Sequence, residues 1–172
     1  MWAAFDNQSP LPDAIKRLGK WRDAELAYNG RRRWVSDAPL LDTEVPSLRL
    51  LSSVTSGKQR IVRLAFDRGG NDMIGLRFGK GVPVLAMGLT GQPRAISPNA
   101  EPGASSINCS GRACDGLAIE IRLAGNARVK AMLIGIRFAI PPQARPLIDA
   151  RPVNTQPQYA PDNVVRIKSV AF

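Results

Sequence analysis

Cys109 and Cys114 are the two residues of this chain whose type and spacing point most directly to chemistry. The four residues between them include Gly111, so the chain can double back and bring the two Cα atoms within the ~6 Å that a disulfide needs. A bridge here predicts an oxidising compartment and a long loop pinned to the strand that follows it. The alternative is two unrelated buried thiols. A redox-active pair is disfavoured because the spacing is not Cys-x-x-Cys.

Histidine is absent from the sequence. Its absence excludes Ser-His-Asp and Cys-His nucleophile systems as well as histidine-containing zinc sites, and two cysteines cannot supply the four thiolates of an all-cysteine site. The 14 acidic residues leave a glycosidase-type carboxylate pair formally open, but no feature marks two of them as partners. We therefore expect no catalytic residue, metal or cofactor in this chain.

The chain is strongly basic, with 24 Lys and Arg against 14 Asp and Glu. Such a surplus suits nucleic acid, acidic glycans or an anionic membrane surface. The basic residues are dispersed apart from one run, Arg31-Arg32-Arg33, and no RNP, KH or zinc-finger pattern accompanies it, so nucleic acid is not expected as a partner. The run is either a surface that docks anions or a hairpin edge blunted by charge.

A glycan-binding sandwich needs an exposed aromatic side chain on which a sugar can stack. The candidates are Trp21, Tyr28, Trp34 and Tyr159. The alternative is that these rings pack in a core or between elements, since tryptophan is mostly buried on average.

The elements that position these residues have the pattern of short strands. Residues 59–67 and 117–123 alternate apolar with polar side chains, the period of a strand with one buried face. About nine such segments with almost no helical periodicity predict an all-β fold, an antiparallel β-sandwich of the jelly-roll or immunoglobulin-like kind. We expect residues 1–20 to form an irregular segment or linker with a short helical turn at 13–18, and residues 21–172 to form a single domain.

Local signals add four expectations. Asn29-Gly30 predicts a type I′ turn between strands at 24–28 and 32–36. Residues 90–93 are expected to form a turn, and residues 97–113 the longest loop. The apolar stretch 131–140 is too short to span a bilayer, and no signal-peptide pattern begins the chain, so the chain is expected to be soluble as given.

Several short motifs occur in a distinctive order between residues 30 and 172. They are Arg33-Trp34-Val35-Ser36, Val45 to Leu51, Val84 to Met87 with Gly91-Gln92-Pro93, Cys109 to Gly116, Ile140-Pro141-Pro142, Ala150-Arg151-Pro152 and Val164 to Val170. This order resembles the C-terminal extracytoplasmic domain of bacterial membrane-bound dizinc aminopeptidase-like metallopeptidases, relatives of the endoplasmic reticulum metallopeptidase.

The resemblance implies a β-sandwich that follows a zinc peptidase domain and several membrane spans. In that family the zinc ligands lie in the peptidase domain, so none is carried over to this chain. The implied function is a non-catalytic accessory domain, tethered on the periplasmic side of the inner membrane, that packs on or shields the catalytic domain. Met1 would then lie inside a longer reading frame. The second hypothesis is a stand-alone carbohydrate- or ligand-binding module.

Overall fold

The computed structural model describes residues 2–6, 9–39, 41, 44–97, 105–154 and 161–172. Contacts between Cα atoms divide the chain into two compact units. The first comprises Met1–Thr43 and Phe138–Val164, and the second comprises Glu44–Arg137 and Val165–Phe172. The sequence pattern predicts that residues 21–172 form one domain. The contacts between Cα atoms place residues 21–43 and 138–164 in the first unit instead.

The first unit contains a three-stranded antiparallel sheet and two short helices. Its elements are β1 (Trp2–Asp6), α1 (Asp13–Lys16), β2 (Arg22–Glu25), β3 (Arg32–Ser36) and α2 (Arg145–Asp149). Strand β3 is central, paired with β1 on one side and β2 on the other. Helix α1 lies where a helical turn was predicted, and β1 lies in the segment that was expected to be irregular.

The hairpin between β2 and β3 has a longer turn than predicted. The amide of Leu26 donates to the carbonyl of Arg31, and the amides of Asn29 and Gly30 both donate to the carbonyl of Leu26. Gly30 has a φ of +71°, but no described residue other than glycine has a positive φ. A type I′ turn needs positive φ at both central residues, so the predicted Asn29-Gly30 turn is wrong while the hairpin itself is present.

The second unit is a β-sandwich with nine described strands. They are β4 (Ser47–Ser56), β5 (Gln59–Asp67), β6 (Met73–Phe78), β7 (Val84–Leu89), β8 (Gln92–Ala95), β9 (Ser106–Ser110), β10 (Ala118–Ala124), β11 (Lys130–Arg137) and β12 (Val164–Ala171). One sheet has five strands in the order β4-β5-β10-β7-β8, and the other has four in the order β12-β11-β6-β9. The predicted all-β sandwich is confirmed.

The core of this unit lies between the two sheets because alternate residues of each strand point inward. From the five-stranded sheet come Val62, Leu64, Phe66, Met87, Ile119, Ile121 and Leu123, and from the four-stranded sheet come Ile74, Leu76, Phe78, Ala131 and Leu133. Phe172 closes one side with its ring edge against Phe78, at a centroid distance of 6.1 Å. The alternation in residues 59–67 and 117–123 therefore predicted the inward face correctly.

Two strands lie where a turn and a loop were expected. Strand β8 contains Pro93, which lacks the amide that an interior strand would need, but β8 is the last strand of its sheet. Strand β9 occupies part of the predicted loop 97–113, and Ile107 and Cys109 are the residues of β9 that pack against the core.

Candidate binding surface of the five-stranded sheet

The outer face of the five-stranded sheet has a cluster of three charged side chains near its middle. Strand β10 is the central strand, and Glu120 on β10 lies directly opposite Arg63 on β5. Arg122 follows Glu120 by two residues and therefore points to the same face. Their neighbours Ile119, Ile121 and Leu123 point into the core, which forces the charged residues outward. We call Arg63, Glu120 and Arg122 the triad.

The carboxylate of the triad is buried under the two guanidinium groups. The Nε atom of Arg63 donates to Oε2 of Glu120 at 3.1 Å, and Nε and Nη2 of Arg122 donate to Oε1 at 3.1 and 3.0 Å. The Glu120 side chain is only 2% exposed, whereas those of Arg63 and Arg122 are 47% and 42% exposed. The carboxylate thus fixes two guanidinium groups whose remaining N–H donors include those on Nη1 and Nη2 of Arg63.

The protonation of Glu120 follows from two opposing effects. Burial raises the pKa of its carboxyl group, while the hydrogen bonds and positive charges of Arg63 and Arg122 lower it. The arginines prevail, so the pKa of Glu120 lies below the ordinary glutamate value. The Glu120 carboxyl group is therefore ionised at neutral pH, and the triad of two guanidinium groups and one carboxylate carries a net charge of +1.

Small side chains lie beside the triad on the same face. Gly88 on β7 is opposite Glu120, and Ala86 is opposite Arg122. On β8, Pro93 and Ala95 are opposite Gly88 and Ala86. An alanine at position 88 would place its Cβ 2.9 Å from the carbonyl oxygen of Gln92, so the close approach of β8 requires glycine there. The outer face is therefore raised at the two long arginine side chains and lower over Ala86, Gly88, Pro93 and Ala95, and we call this lower area the shelf.

The disulfide lies at one end of the sandwich. Cys109 in β9 and Cys114 in a 3-10 turn at Arg112–Cys114 are bonded, with their Cα atoms 5.8 Å apart. The amide of Gly116 donates to the carbonyl of Phe66, and the amide of Phe66 donates to the carbonyl of Leu117. The predicted bridge is confirmed, and it holds β9 against the start of β10, the central strand of the opposite sheet.

An ion pair between Arg68 and Asp115 stabilises the end of the sandwich that carries the disulfide. The Nη2 atom of Arg68 donates to Oδ2 of Asp115 at 2.9 Å, and the Arg68 amide donates to Oδ1 at 3.0 Å. These bonds hold the pKa of Asp115 below its ordinary value, with the side-chain bond the larger cause. Arg68 Nη1 also donates to the carbonyl of Asn71 at 2.5 Å. The turn after β5 is thereby attached to the disulfide segment.

An open depression of about 510 Å³ lies beside this ion pair, lined by Glu44, Val45, Asp67, Gly69, Gly70 and Asp115. Its carboxylates do not converge. Within the described ranges, no three His, Cys, Asp or Glu side chains are grouped so that they could hold a metal ion.

Three of the predicted aromatic candidates, Trp21, Tyr28 and Trp34, are described and lie in the first unit, and the indole nitrogens of both tryptophans donate to the backbone. The indole Nε1 of Trp21 donates to the carbonyl of Ile15 at 2.9 Å, and that of Trp34 donates to the carbonyl of Ser9 at 3.0 Å. Both rings are half-buried, and Tyr28 is half-buried in the turn between β2 and β3. These bonds support a packing role for both tryptophans. Tyr159 lies outside the described residues.

The arginine run does not form one patch. Arg32 and Arg33 are consecutive in β3 and so point to opposite faces of its sheet. Arg32 pairs with Asp23 at 3.1 Å, and Nη1 of Arg33 donates to the carbonyl of Arg32 at 2.9 Å. The amide of Arg31 donates to the side chain of Asn29. The alternative that charge blunts a hairpin edge is wrong, because β3 is the central strand between β1 and β2.

The basic surplus is concentrated in the sandwich rather than around this run. The second unit has 15 Lys and Arg against 6 Asp and Glu, a surplus of nine, whereas the first unit has 9 against 8. The sandwich therefore presents a positive field to approaching anions.

The outer strand β4 combines an open edge with exposed apolar side chains. It pairs with β5 on one side, and no other described strand pairs with it. Leu50, Leu51 and Val54 are 56%, 42% and 58% exposed, and Arg49 is the one charged residue in the ten-residue strand. The pairing shifts register between Leu50 and Ser52. As a result Leu50 points to the inner face of the sheet and Val54 to its outer face, so exposed apolar side chains lie on both faces of this edge strand.

Neither the triad nor the β4 edge was identified as a site from the sequence. The signal for the triad is a carboxylate and two arginines on outward positions of adjacent strands. Using it requires the register of β5 and β10, which are about fifty residues apart in the chain.

Comparison with protein-family models, curated proteins and solved structures yields no match for this chain. Among the described residues, the helices are all too short or too polar to cross a membrane.

Proposed function

We propose that this chain is a non-catalytic accessory domain of a membrane-anchored zinc peptidase on the periplasmic side of the inner membrane. In this proposal the edge of β4 packs against the catalytic domain of the same polypeptide. The choice of a zinc peptidase domain as the partner rests on the resemblance of residues 30–172 to that family. The Cys109–Cys114 disulfide is compatible with the compartment, because such bonds persist in oxidising environments.

The observation that carries the proposal is the open edge of β4. Unprotected edge strands attract further strands, and natural proteins usually blunt them with charges or prolines unless a partner covers them. Strand β4 has ten residues and one charge, with Leu50, Leu51 and Val54 exposed along it. A partner strand laid along this edge would pair with its backbone and cover these side chains.

The charge of the sandwich favours an acidic partner surface. Its nine surplus positive charges would repel a second copy of the same unit and attract a surface rich in Asp and Glu. The occupant proposed for the β4 edge is therefore an extended segment of the peptidase domain flanked by carboxylates.

The first test is to read the genomic DNA upstream of the Met1 codon in the same frame. We expect the frame to continue into apolar spans of about 20 residues, preceded by a domain rich in His, Asp and Glu. An in-frame stop codon directly before Met1 would end the peptidase assignment.

The second test is hydrogen–deuterium exchange in the complete polypeptide and in this chain alone. We expect the amides of residues 47–56 to exchange more slowly in the complete polypeptide, because a partner strand accepts their hydrogen bonds. Residues 92–95 of β8, at the opposite edge of the sheet, serve as the control and should exchange equally in both. Equal exchange at β4 would refute docking there, and a dimer of the isolated chain in light scattering would assign the edge to a second copy.

A further inference from the structure

We infer that the outer face of the five-stranded sheet binds an acidic glycan, with Arg63 and Arg122 holding an anionic group of the sugar and Glu120 fixing the two guanidinium groups. This inference is independent of the proposed peptidase partner, since it concerns the face of the sheet rather than the β4 edge.

The first argument is the burial of Glu120. A carboxylate that is 2% exposed loses most of its hydration, and only well-placed donors offset that cost. A strand can form with an uncharged residue at an outward-facing position, so strand formation alone does not explain a carboxylate there. The three N–H bonds that it accepts instead determine where Arg63 and Arg122 point.

The second argument is the set of donors that the triad leaves for a ligand. Arg63 uses Nε for Glu120, and none of the hydrogen bonds among the described residues occupies its Nη1 or Nη2. Arg122 uses Nε and Nη2, which leaves Nη1. A guanidinium fork matches the two oxygens of a carboxylate in a bidentate arrangement. With both side chains more than 40% exposed, these donors are open to a ligand in solution.

The third argument is the shape of the surface beside the triad. Gly88, Pro93 and Ala95 form a low shelf next to Arg122, and adjacent strands are about 4.8 Å apart. Two strands therefore give a platform wide enough for a flat pyranose ring. A uronic acid lying on this shelf would place its carboxylate against the arginines. The surplus of nine positive charges in the unit would then favour a polymer with further acidic residues.

The test is calorimetric titration of the whole chain with oligogalacturonate, using its fully methyl-esterified form as the neutral probe. We expect binding of oligogalacturonate and none of the ester. Arg63→Gln should weaken binding at least tenfold, the loss expected for a bidentate charged contact, and Arg122→Gln should weaken it less, because one nitrogen of that side chain is left for the ligand. Arg128→Gln removes the same charge from an exposed position away from the triad and should change the affinity less than twofold.

Glu120→Gln distinguishes positioning of the two arginines by Glu120 from unspecific attraction of the anionic ligand by the net charge of the protein. This substitution raises the net charge of the protein by one, so unspecific attraction predicts tighter binding, whereas positioning of the arginines predicts weaker binding. Arg63→Lys keeps the charge but loses the fork, and should fall between wild type and Arg63→Gln. Thermal melts of each variant identify any loss of folding.

Three results would overturn the inference. They are unchanged affinity in Arg63→Gln and Arg122→Gln, an equal loss in Arg128→Gln, or binding to phosphatidylglycerol vesicles without binding to oligogalacturonate. The last result would assign the arginines to an anionic membrane surface instead.

Discussion

The side chain of Asn71 occupies the space that a β-carbon at position 135 would need. An alanine there would place its Cβ 2.8 Å from Cγ of Asn71, closer than such atoms approach in proteins. Asn71 is buried, and its Nδ2 donates to the carbonyls of Arg68 and Gly69 at 2.6 and 3.2 Å. Gly135 thus makes room for the amide that closes the turn between β5 and β6.

Gly135→Ala is expected to destabilise the protein by about 1–3 kcal/mol, because the buried amide cannot move without losing its hydrogen bonds. Gly79→Ala is the matched control, since a Cβ at position 79 meets no atom within 4 Å. Urea unfolding of the two variants measures the difference. Equal stability of the two variants would contradict this account of Gly135.

Glu120→Gln is expected to lower the free energy of unfolding by about 1–2 kcal/mol at neutral pH, a modest value because both arginines remain partly solvated. The folded pKa of Glu120 lies below its unfolded value. The contribution is therefore complete above the unfolded pKa and disappears as the pH falls through the folded pKa. Unfolding of wild type and variant should thus differ at pH 7 and converge in acid. A constant difference from pH 7 to pH 2 would refute the role of ionisation.

Loss of the Cys109–Cys114 bond is expected to cost about 2 kcal/mol, the chain-entropy value for a loop of this length. The double variant Cys109→Ala/Cys114→Ala should unfold at lower urea concentration than wild type. Addition of reductant should destabilise wild type and leave the double variant unchanged. If reductant has no effect on wild type, the bond contributes nothing to stability.

Val54→Glu is expected to leave the stability of the isolated chain within about 0.5 kcal/mol of wild type, because this side chain is largely exposed. In the complete polypeptide the same change should remove the slow exchange of residues 47–56, because the new carboxylate would be repelled by the acidic residues that flank the proposed partner segment. Leu133→Ala, at a fully buried position, provides the contrast and should cost about 2–5 kcal/mol. Slow exchange that persists in Val54→Glu would exclude this part of the edge from the contact.

The sequence predicted the interior of the sandwich well, because the alternation of apolar and polar residues within a strand shows which of its faces is buried. Strand β5 begins and ends at the predicted residues, 59–67. The sequence analysis missed two of the four described edge strands of the sandwich, β8 and β9. Strand β8 contains Pro93, a residue that only the outermost position of a sheet tolerates, and position in a sheet is not a local property.

The candidate sites show the same contrast between features set by neighbouring residues, which the sequence predicts, and features set by strand pairing, which it does not. The Cys109–Cys114 bond depends on residues five positions apart, so spacing alone was enough to predict it. The contact between Arg63 and Glu120 depends on pairing of strands that are distant in the chain. The three arginines at 31–33 are adjacent in sequence, yet Arg32 and Arg33 point to opposite faces of β3.

The disulfide also bears on how the protein reaches its native state. This chain has two cysteines, so it admits one intramolecular pairing and no scrambled alternatives. Oxidation therefore needs a thiol oxidant but no isomerase to correct mistakes. A host with an oxidising secretory compartment and no disulfide-shuffling enzyme should produce the correctly bridged protein.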